Sequence, residues 1–173
     1  MHGGKMKDLK IRSLILEDRD EIGRIIAQVR VFNPAELKVA LELVDEALQH
    51  PERDEYHVLC AVNGQNEVIG YACFGPVPMT DRCFDLYWIA VDEGAARQGV
   101  GKRLLDGVED FARKRDARRI YVETSSTPPY DAARSFYSRN GYLRECILEG
   151  FYRADDHKII YRKELQPEPA RID

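Results

Sequence analysis

The sequence predicts a mixed α/β fold in one domain, with a mostly antiparallel central sheet of about seven strands and about four helices. Three observations support this fold class. Short runs rich in aromatic and β-branched residues recur along the chain, as expected for strands. Residues 84–112 form a strand, a glycine turn and a helix in succession. A further strand follows that helix, and a strand–helix–strand crossover implies parallel pairing at the centre of the sheet.

Composition indicates a globular domain. The chain has 173 residues, of which 44% are hydrophobic and 32% charged, with a net charge of −4. That charge argues against nucleic acid as a partner and is compatible with a cationic, amine-bearing substrate. No apolar run reaches the ~20 residues of a membrane span, and the N-terminus lacks the apolar core of a signal peptide. We therefore expect a cytoplasmic protein with a flexible leader (1–8), one domain (9–166) and a loose tail (167–173).

Cysteine and histidine spacing gives no sign of a metal site. The four cysteines, Cys60, Cys73, Cys83 and Cys146, have no Cys-x-x-Cys spacing and are predicted to be buried free thiols in a reducing cytoplasm. His57 and His157 lie near strand ends without partners at ligand spacing. No metal cofactor is expected.

The first half of the chain alternates between strand and helix signals. A strand at residues 9–14 precedes a helix whose opening turn carries Glu17 and Asp18. A second helix begins at Asn33-Pro34, with Asn33 as N-cap and Pro34 at the first helical position, and extends to about Gln49. The next two strands form a hairpin: Tyr56–Val62 and Val68–Phe74.

The second half repeats this alternation. The expected elements are a strand at Cys83–Val91, a helix at 99–115, a strand at Arg119–Thr124, a helix after Pro128-Pro129, and strands at Tyr142–Glu149 and His157–Leu165. Asp131 is the expected cap of the last helix, and Gly141 is expected to end it.

The turn at Gly99-Val100-Gly101 is suited to a phosphate. The first N–H groups of a helix have no partner within the helix and lie at the positive end of its dipole, and glycine keeps Cβ atoms out of the way. Lys102 and Arg103 add charge that is unfavourable for the helix alone but favourable beside an anion. This stretch predicts a phosphorylated ligand.

Two common phosphate motifs fail here. A Walker A loop would need glycine at Ala96 and Ser or Thr at Arg103, and a dinucleotide fingerprint would need glycine at Leu104. The stretch instead resembles the pyrophosphate loop of the GNAT superfamily of acetyl-CoA-dependent N-acyltransferases, Arg/Gln-x-x-Gly-x-Gly/Ala. The resemblance is close over Phe84–Thr124 and returns at Tyr130–Tyr142; one departure is Ala96 at the first motif position.

The resemblance implies roles for particular residues. Tyr137 matches the tyrosine that commonly protonates the departing thiolate, and a phenol of pKa near 10 suits that task. Asp131 stands where the family usually has Asn, so a coenzyme contact there competes with a plain N-cap role. The implied coenzyme-binding residues are Ile89, Ala90 and Val91 for the pantetheine arm, and Arg97, Gln98, Gly99, Val100, Gly101 and Lys102 for the pyrophosphate.

Asp85 is the first candidate for the general base. It lies in an apolar strand, six residues before Val91, where protein-lysine acetyltransferases of this superfamily carry a glutamate base. Because aspartate is shorter, we expect a bridging water. Glu123 is the second candidate, and Asp85 as a surface charge at the strand end is the alternative.

Two further sets of residues are candidates for lining the site. Thr124-Ser125-Ser126 either line the site or form a turn, and the turn is favoured. Among the aromatic residues, Tyr87 and Tyr152 are kept as candidates for walls of an amine pocket.

The sequence therefore predicts an N-acetyltransferase that moves the acetyl group of acetyl-CoA to a primary amine, small or amino-acid-like, by direct attack. A protein or peptide N-acetyltransferase and a non-catalytic acyl-CoA-binding domain are the alternatives. The expected partners are acetyl-CoA and a small-molecule amine, without nucleic acid or membrane, and a homodimer is compatible with the resemblance.

Overall fold

A computed structural model describes residues 8–31 and 33–165. The predicted tail at 167–173 and all of the predicted leader except Asp8 lie outside these residues, and the boundary of the domain at 9–166 stays a prediction. Within the described residues, no helix is both long and apolar enough to cross a membrane.

The described residues form seven strands and four α-helices, as predicted, together with three short 3₁₀ turns. The strands are β1 (Lys10–Ser13), β2 (His57–Val62), β3 (Val68–Pro76), β4 (Cys83–Val91), β5 (Arg119–Ser125), β6 (Leu143–Arg153) and β7 (Asp156–Glu164). The helices are α1 (Arg19–Gln28), α2 (Pro34–Gln49), α3 (Val100–Arg113) and α4 (Asp131–Arg139).

The seven strands form one mixed sheet in the order β1-β2-β3-β4-β5-β7-β6. β1–β2, β2–β3, β5–β7 and β6–β7 pair antiparallel, whereas β4 and β5 pair parallel from Cys83↔Arg119 to Leu86↔Val122. The parallel pair is joined through α3, so the crossover predicted from the sequence is confirmed.

The chain divides into two compact units. The first contains the described residues up to Pro76 together with Tyr87–Asp110, and the second contains Val77–Leu86 and the described residues from Phe111 onward. Each unit has its own buried residues.

The first unit packs helices on both faces of its strands. α1 and α2 cover one face, and their shared core with β2, β3 and β4 consists of Ile22, Ile25, Ile26, Ala40, Val44, Val58, Cys60, Val62, Val68, Tyr71, Cys73 and Ala90. On the opposite face, α3 approaches β1 and β2 at Gly107, where a Cβ would lie 3.1 Å from Ile11 and 3.2 Å from Leu59. The apolar spacing of the helices therefore matches the faces they bury.

Gly70 allows α3 to approach β3 closely. A Cβ at this position would lie 3.0 Å from the carbonyl oxygen of Ala90 and 3.1 Å from the side chains of Leu104 and Val100. These contacts would be tighter than ordinary van der Waals packing, so the helix start sits where it does because position 70 has no side chain.

Local signals define the starts of α1 and α2. Asn33 caps α2 as predicted: its Oδ1 accepts from the N–H groups of Ala35 (2.9 Å) and Glu36 (3.0 Å), and Glu36 accepts from the Asn33 N–H at 2.7 Å. Glu17 and Asp18 lie in a 3₁₀ turn before α1 rather than in its opening turn. Asp18 is buried, and Arg12 donates to both its oxygens at 2.6 and 2.8 Å.

The second unit buries one face of its strands. Ile120 and Val122 of β5 and Ile159 and Tyr161 of β7 are buried, and Tyr137 of α4 packs against Tyr161. β6 differs, because all 11 of its residues are exposed. Cys146 lies on this strand and is exposed, so the prediction of a buried thiol is wrong there; Cys60 and Cys73 are buried, and all four cysteines are free.

Asp131 does not cap α4, which corrects the prediction. Pro128–Tyr130 form a 3₁₀ turn that leads directly into the helix, so Asp131 lies inside the first helical turn. Its carboxylate accepts from Arg134, whose guanidinium also donates to the carbonyl oxygens of Ser125 and Thr127. Gly141, at φ +82°, ends the helix as predicted.

Gly75 gives a direct test of packing in the first unit. A Cβ at this position would lie 2.0 Å from the carbonyl oxygen of Glu55, which is backbone and yields little. We expect Gly75→Ala to lower the free energy of unfolding by about 2 kcal/mol or more in urea denaturation.

Gly23→Ala is the matched control for this substitution. Its Cβ would lie 3.7 Å from Leu41, an ordinary contact, and alanine is the better helix former. The control should keep or raise stability, and equal losses in the two variants would contradict the described packing around Gly75.

Candidate functional site

The loop between β4 and α3 has the backbone geometry of an anion site. Arg97 and Gly99 have positive φ angles of +61° and +85°, and α3 begins directly afterwards at Val100. A Cβ on Gly99 would meet no atom within 4 Å, so the space above this glycine is open. The Val100 side chain is buried and anchors the helix start. The unpaired N–H groups of the first turn are thus available to a bound anion.

Hydrogen bonds within the loop and at the start of α3 hold it in place. The Gln98 side-chain amide donates to the Gly94 carbonyl at 3.0 Å, and the Arg103 N–H donates to the Gly99 carbonyl at 3.1 Å. Gln98 therefore braces the loop, which is a different task from contacting a ligand with its side chain.

The basic side chains near the loop differ from one another. Lys102 forms an i,i+4 ion pair with Asp106 on α3, so part of its charge is already balanced. Arg97 and Arg103 are exposed and form no ion pair with any residue in the described part of the chain. Their charges are the ones available to an anion at this end of α3.

The end of β4 directs main-chain groups to two sides. The Asp92 N–H donates to Ile69 of β3 at 2.9 Å. Main-chain groups of alternate strand residues point to opposite edges, so those of Ala90 share the β3 side and those of Ile89 and Val91 point away from β3. That Ile89 and Val91 bind a pantetheine arm through these groups stays a prediction.

Tyr137 lies in an aromatic cluster of the second unit. Its ring centroid is 5.9 Å from that of Tyr142 and 6.1 Å from that of Tyr161, and the residue is only 6% exposed. Burial raises the pKa of Tyr137 above its ordinary value, because a phenolate would be poorly solvated there. The hydroxyl therefore keeps its proton at neutral pH, but it is a weaker acid than the phenol of pKa about 10 expected from the sequence, and its role as the acid stays a prediction.

Asp85 is half-buried on β4, opposite Tyr121 of β5. The pKa of Asp85 is raised to about 6, chiefly by burial and also by the like charge of Glu123, while the Lys158 ammonium opposes the shift. A carboxylate with a pKa close to neutrality can accept a proton at neutral pH and still release it. This environment matches what a general base requires.

Glu123 and Lys158 form an ion pair beside Asp85. The Lys158 Nζ lies 2.6 Å from Glu123, 3.8 Å from the centre of the Phe151 ring and 5.8 Å from that of Tyr152. Glu123, the second candidate for the base, is therefore already engaged by an ammonium group. Tyr152 faces the ammonium group of Lys158, a residue of this chain, and packs edge-on against Phe151.

The three polar residues 124–126 have different environments. Ser125 donates to Asp156 at 2.6 Å, and the Ser126 Oγ accepts from the His157 N–H at 2.9 Å, so both hold the turn together. Thr124 lies in β5 and is buried, and its Oγ1 has no hydrogen-bond partner within residues 8–31 and 33–165. Of the three, Thr124 is the one with spare hydrogen-bonding capacity.

The other predicted residues have local partners. Tyr87 packs against Tyr56 with ring centroids 5.6 Å apart, in the first unit. His57 pairs with Asp54 at 2.8 Å, and the His157 Nδ1 accepts from Gly150 at 2.8 Å. The described residues contain no group of three or more His, Cys, Asp or Glu side chains arranged to hold a metal ion.

Sequence reasoning missed two features. Asp92, directly after β4, binds Arg24 and Gln28 of α1, and Lys158 balances Glu123. The position of Asp92 between a strand and a glycine turn was a visible signal. Nothing in the spacing of Arg24, Gln28 or Lys158 indicates their partners, because those contacts join distant segments.

Comparison with known proteins agrees with this fold. The model of the acetyltransferase (GNAT) family matches residues 18–142. A crystal structure from Desulfovibrio desulfuricans, of a protein assigned to the GNAT family of acetyltransferases, has 39% sequence identity and a TM-score of 0.87, and the match covers 91% of this chain and 99% of that one. No curated protein matched the chain.

More distant structures share the fold. The ribosomal-protein-S18-alanine N-acetyltransferase of Escherichia coli has 20% identity and a TM-score of 0.73, covering 95% of this chain and 99% of that one. An aminoglycoside 6'-N-acetyltransferase complexed with coenzyme A has 17% identity and a TM-score of 0.71, covering 92% and 99%.

The strand–loop–helix unit and the mixed sheet are thus those of an acyltransferase. The chain belongs to the GNAT family of acetyltransferases.

The pKa of Asp85 has a consequence for stability. A folded-state pKa raised to about 6, from 3.8, means that ionising Asp85 favours the unfolded chain, so its contribution to stability falls as pH rises through that interval. We expect Asp85→Asn to raise Tm by a few degrees at pH 7.5 and to lose that advantage at pH 3.5, measured by thermal scans at both values.

Asp106→Asn serves as the control. Asp106 is paired with Lys102 on α3, so removing its charge should not raise Tm at pH 7.5. A lower Tm for Asp85→Asn at pH 7.5 would show that Asp85 stabilises the fold, contrary to the described environment.

Proposed function

We propose that this protein transfers the acetyl group of acetyl-CoA to a primary amine, small or amino-acid-like, by direct attack. The observation that carries the proposal is the loop, in which two positive φ angles and open space above Gly99 lie at the start of α3. That geometry suits a pyrophosphate. The coenzyme A complex of the aminoglycoside 6'-N-acetyltransferase, which shares the fold, supports acetyl-CoA as the donor.

The loop would bind the coenzyme mainly through its main chain. N–H groups of Val100, Gly101 and Lys102 would donate to the pyrophosphate, and Arg97 would add charge. The outward main-chain groups of Ile89 and Val91 would bind the pantetheine amides. A contact from Asp131 remains a prediction; its carboxylate is engaged by Arg134, and a negative charge there would not attract a phosphate.

The chemistry would need one base and one acid. Asp85, directly or through a water, would take a proton from the substrate ammonium, and the amine nitrogen would attack the thioester carbonyl. The C–N bond forms, the C–S bond breaks, and Tyr137 would give its proton to the departing thiolate; the second proton of the attacking nitrogen would pass to the Tyr137 phenolate through water, leaving an amide and free coenzyme A. No covalent enzyme intermediate is needed.

The first test is thiol release from acetyl-CoA against amines, amino acids, polyamines and basic peptides. With Tyr137→Phe, we expect kcat to fall about 100-fold for the amine that reacts, because the leaving thiolate loses its proton donor. Tyr161→Phe is the matched control: it removes a hydroxyl from the same aromatic cluster and should leave kcat within about twofold.

Each outcome of this assay decides between functions. Equal kcat in Tyr137→Phe and the parent would remove Tyr137 as the acid. Turnover of basic peptides alone would favour a protein or peptide N-acetyltransferase. Coenzyme A binding without turnover of any amine would favour the non-catalytic domain.

The second test is pH dependence. If Asp85 is the base, kcat/KM rises with pH through a limb near 6, because only the ionised carboxylate accepts a proton. Lys158→Met should move that limb to higher pH and Glu123→Gln to lower pH, since the first removes an attractive charge and the second a repulsive one.

The control for this test is Asp85→Asn, which should lower kcat/KM about 100-fold and abolish the limb. A limb that persists in Asp85→Asn but disappears in Glu123→Gln would make Glu123 the base.

A further inference from the structure

Asp92 is the first residue after β4, and three groups bind its side chain. Arg24 Nη1 donates to Oδ2 at 2.5 Å, Gln28 Nε2 donates to the same oxygen at 3.2 Å, and the Gly94 N–H donates to Oδ1 at 2.8 Å. Two of these donors come from α1 and the third from the turn that leads into the loop. Asp92 therefore joins α1 to the entrance of the loop.

Gln28 completes this connection. Its Oε1 accepts from the Glu93 N–H at 3.0 Å, so one amide side chain of α1 binds both residues that follow β4. α1 is itself fixed, because Ile22, Ile25 and Ile26 are buried in the core of the first unit. We name Arg24, Gln28 and Asp92 together the α1 clasp.

The charge of Asp92 is the informative feature. A carboxylate a few residues before a phosphate loop repels the ligand unless it is neutralised. The hydrogen bond from Arg24 holds the pKa of Asp92 below its ordinary value, so the group stays ionised, and the same guanidinium balances its charge. Because the charges of Arg24 and Asp92 cancel, the pair changes the electrostatic potential at the loop little. Its hydrogen bonds hold residue 92 against α1.

We propose that the α1 clasp positions the loop to receive the pyrophosphate, a role that rests on the proposed use of acetyl-CoA. Main-chain N–H groups can bind a pyrophosphate tightly only if their directions are set before binding, because ordering a loose loop costs binding free energy. The clasp fixes residues 92–94, and Gln98 fixes the loop further along through the Gly94 carbonyl. Arg24, Gln28 and Asp92 are thus positioning residues that touch no reacting atom.

The test separates positioning of the loop from general stability by using two ligands. Acetyl-CoA contains the pyrophosphate, whereas S-acetylpantetheine keeps the thioester and the amide arm without it. We expect Gln28→Ala and Asp92→Asn to raise KM for acetyl-CoA about tenfold with kcat unchanged, and to alter kcat/KM for S-acetylpantetheine less than about twofold. Asp92→Asn is nearly isosteric and keeps an acceptor for Gly94, so it should weaken binding less than Asp92→Ala.

Arg30→Gln is the matched control. Arg30 pairs with Glu93 at 3.4 Å in the same region, but both side chains are largely exposed, so the pair contributes little. This variant should bind coenzyme A as the parent does in calorimetric titration.

The outcomes distinguish this inference from the proposed function. If the parent neither binds coenzyme A nor turns over acetyl-CoA, the proposed function fails. If the parent is active and both clasp variants keep the parent KM for acetyl-CoA, the clasp proposal is overturned. Equal losses for acetyl-CoA and S-acetylpantetheine would also overturn it, because a general loss of structure does not depend on the pyrophosphate.

Discussion

The close approach of α3 to β3 at Gly70 is the constraint on which the first unit depends. With no side chain at position 70, Val100 and Leu104 pack onto the strand and the Ala90 carbonyl comes close. The first turn of α3 is thereby fixed beside the end of β4, and the loop between them has to turn back sharply. The residues that connect β4 to α3 include a 3₁₀ turn at Glu93–Ala95 and have positive φ angles at Arg97 and Gly99. The place where we propose that an anion binds is therefore set by how this helix packs on the sheet.

Elements with strong local signals could be predicted from the sequence. β4 matched residue for residue, α2 began at its Asn33 cap, and the crossover through α3 gave the parallel pair. Each depends on an interaction within a few residues or on the period of the apolar positions, both of which are visible in the chain. The turn before α3 belongs to this group, since its glycines and the following helix are consecutive, whereas its binding of a phosphate stays a prediction. For the same reason, the family could be named from one stretch.

Features that depend on distant partners could not be predicted. Asp131 has the composition of an N-cap, yet Pro128–Tyr130 already form a turn that continues into α4, and Arg134 takes its carboxylate. Cys146 has the neighbours of a buried strand residue, but β6 is exposed along its length. The link from α1 to Asp92 joins residues more than 60 positions apart. Hydrophobic alternation and secondary-structure propensity depend on the residues within one segment. The capping of α4, the burial of Cys146 and the partners of Asp92 depend on residues that the fold places next to that segment.

The candidate residues of the loop and those of the second unit differ in how far their proposed roles depend on side chains. In the loop, the geometry resides in the backbone, so Ala96 can stand where the family motif has arginine or glutamine: Arg97 and Gly99 still adopt the turn, and Gln98 and Asp92 still brace it. In the second unit, the useful property is the pKa of a side chain. Asp85 carries its raised pKa because of burial and of Glu123, and Lys158 limits that rise. Substitution of Ala96 should therefore affect the proposed activity less than substitution of Asp85, Glu123 or Lys158.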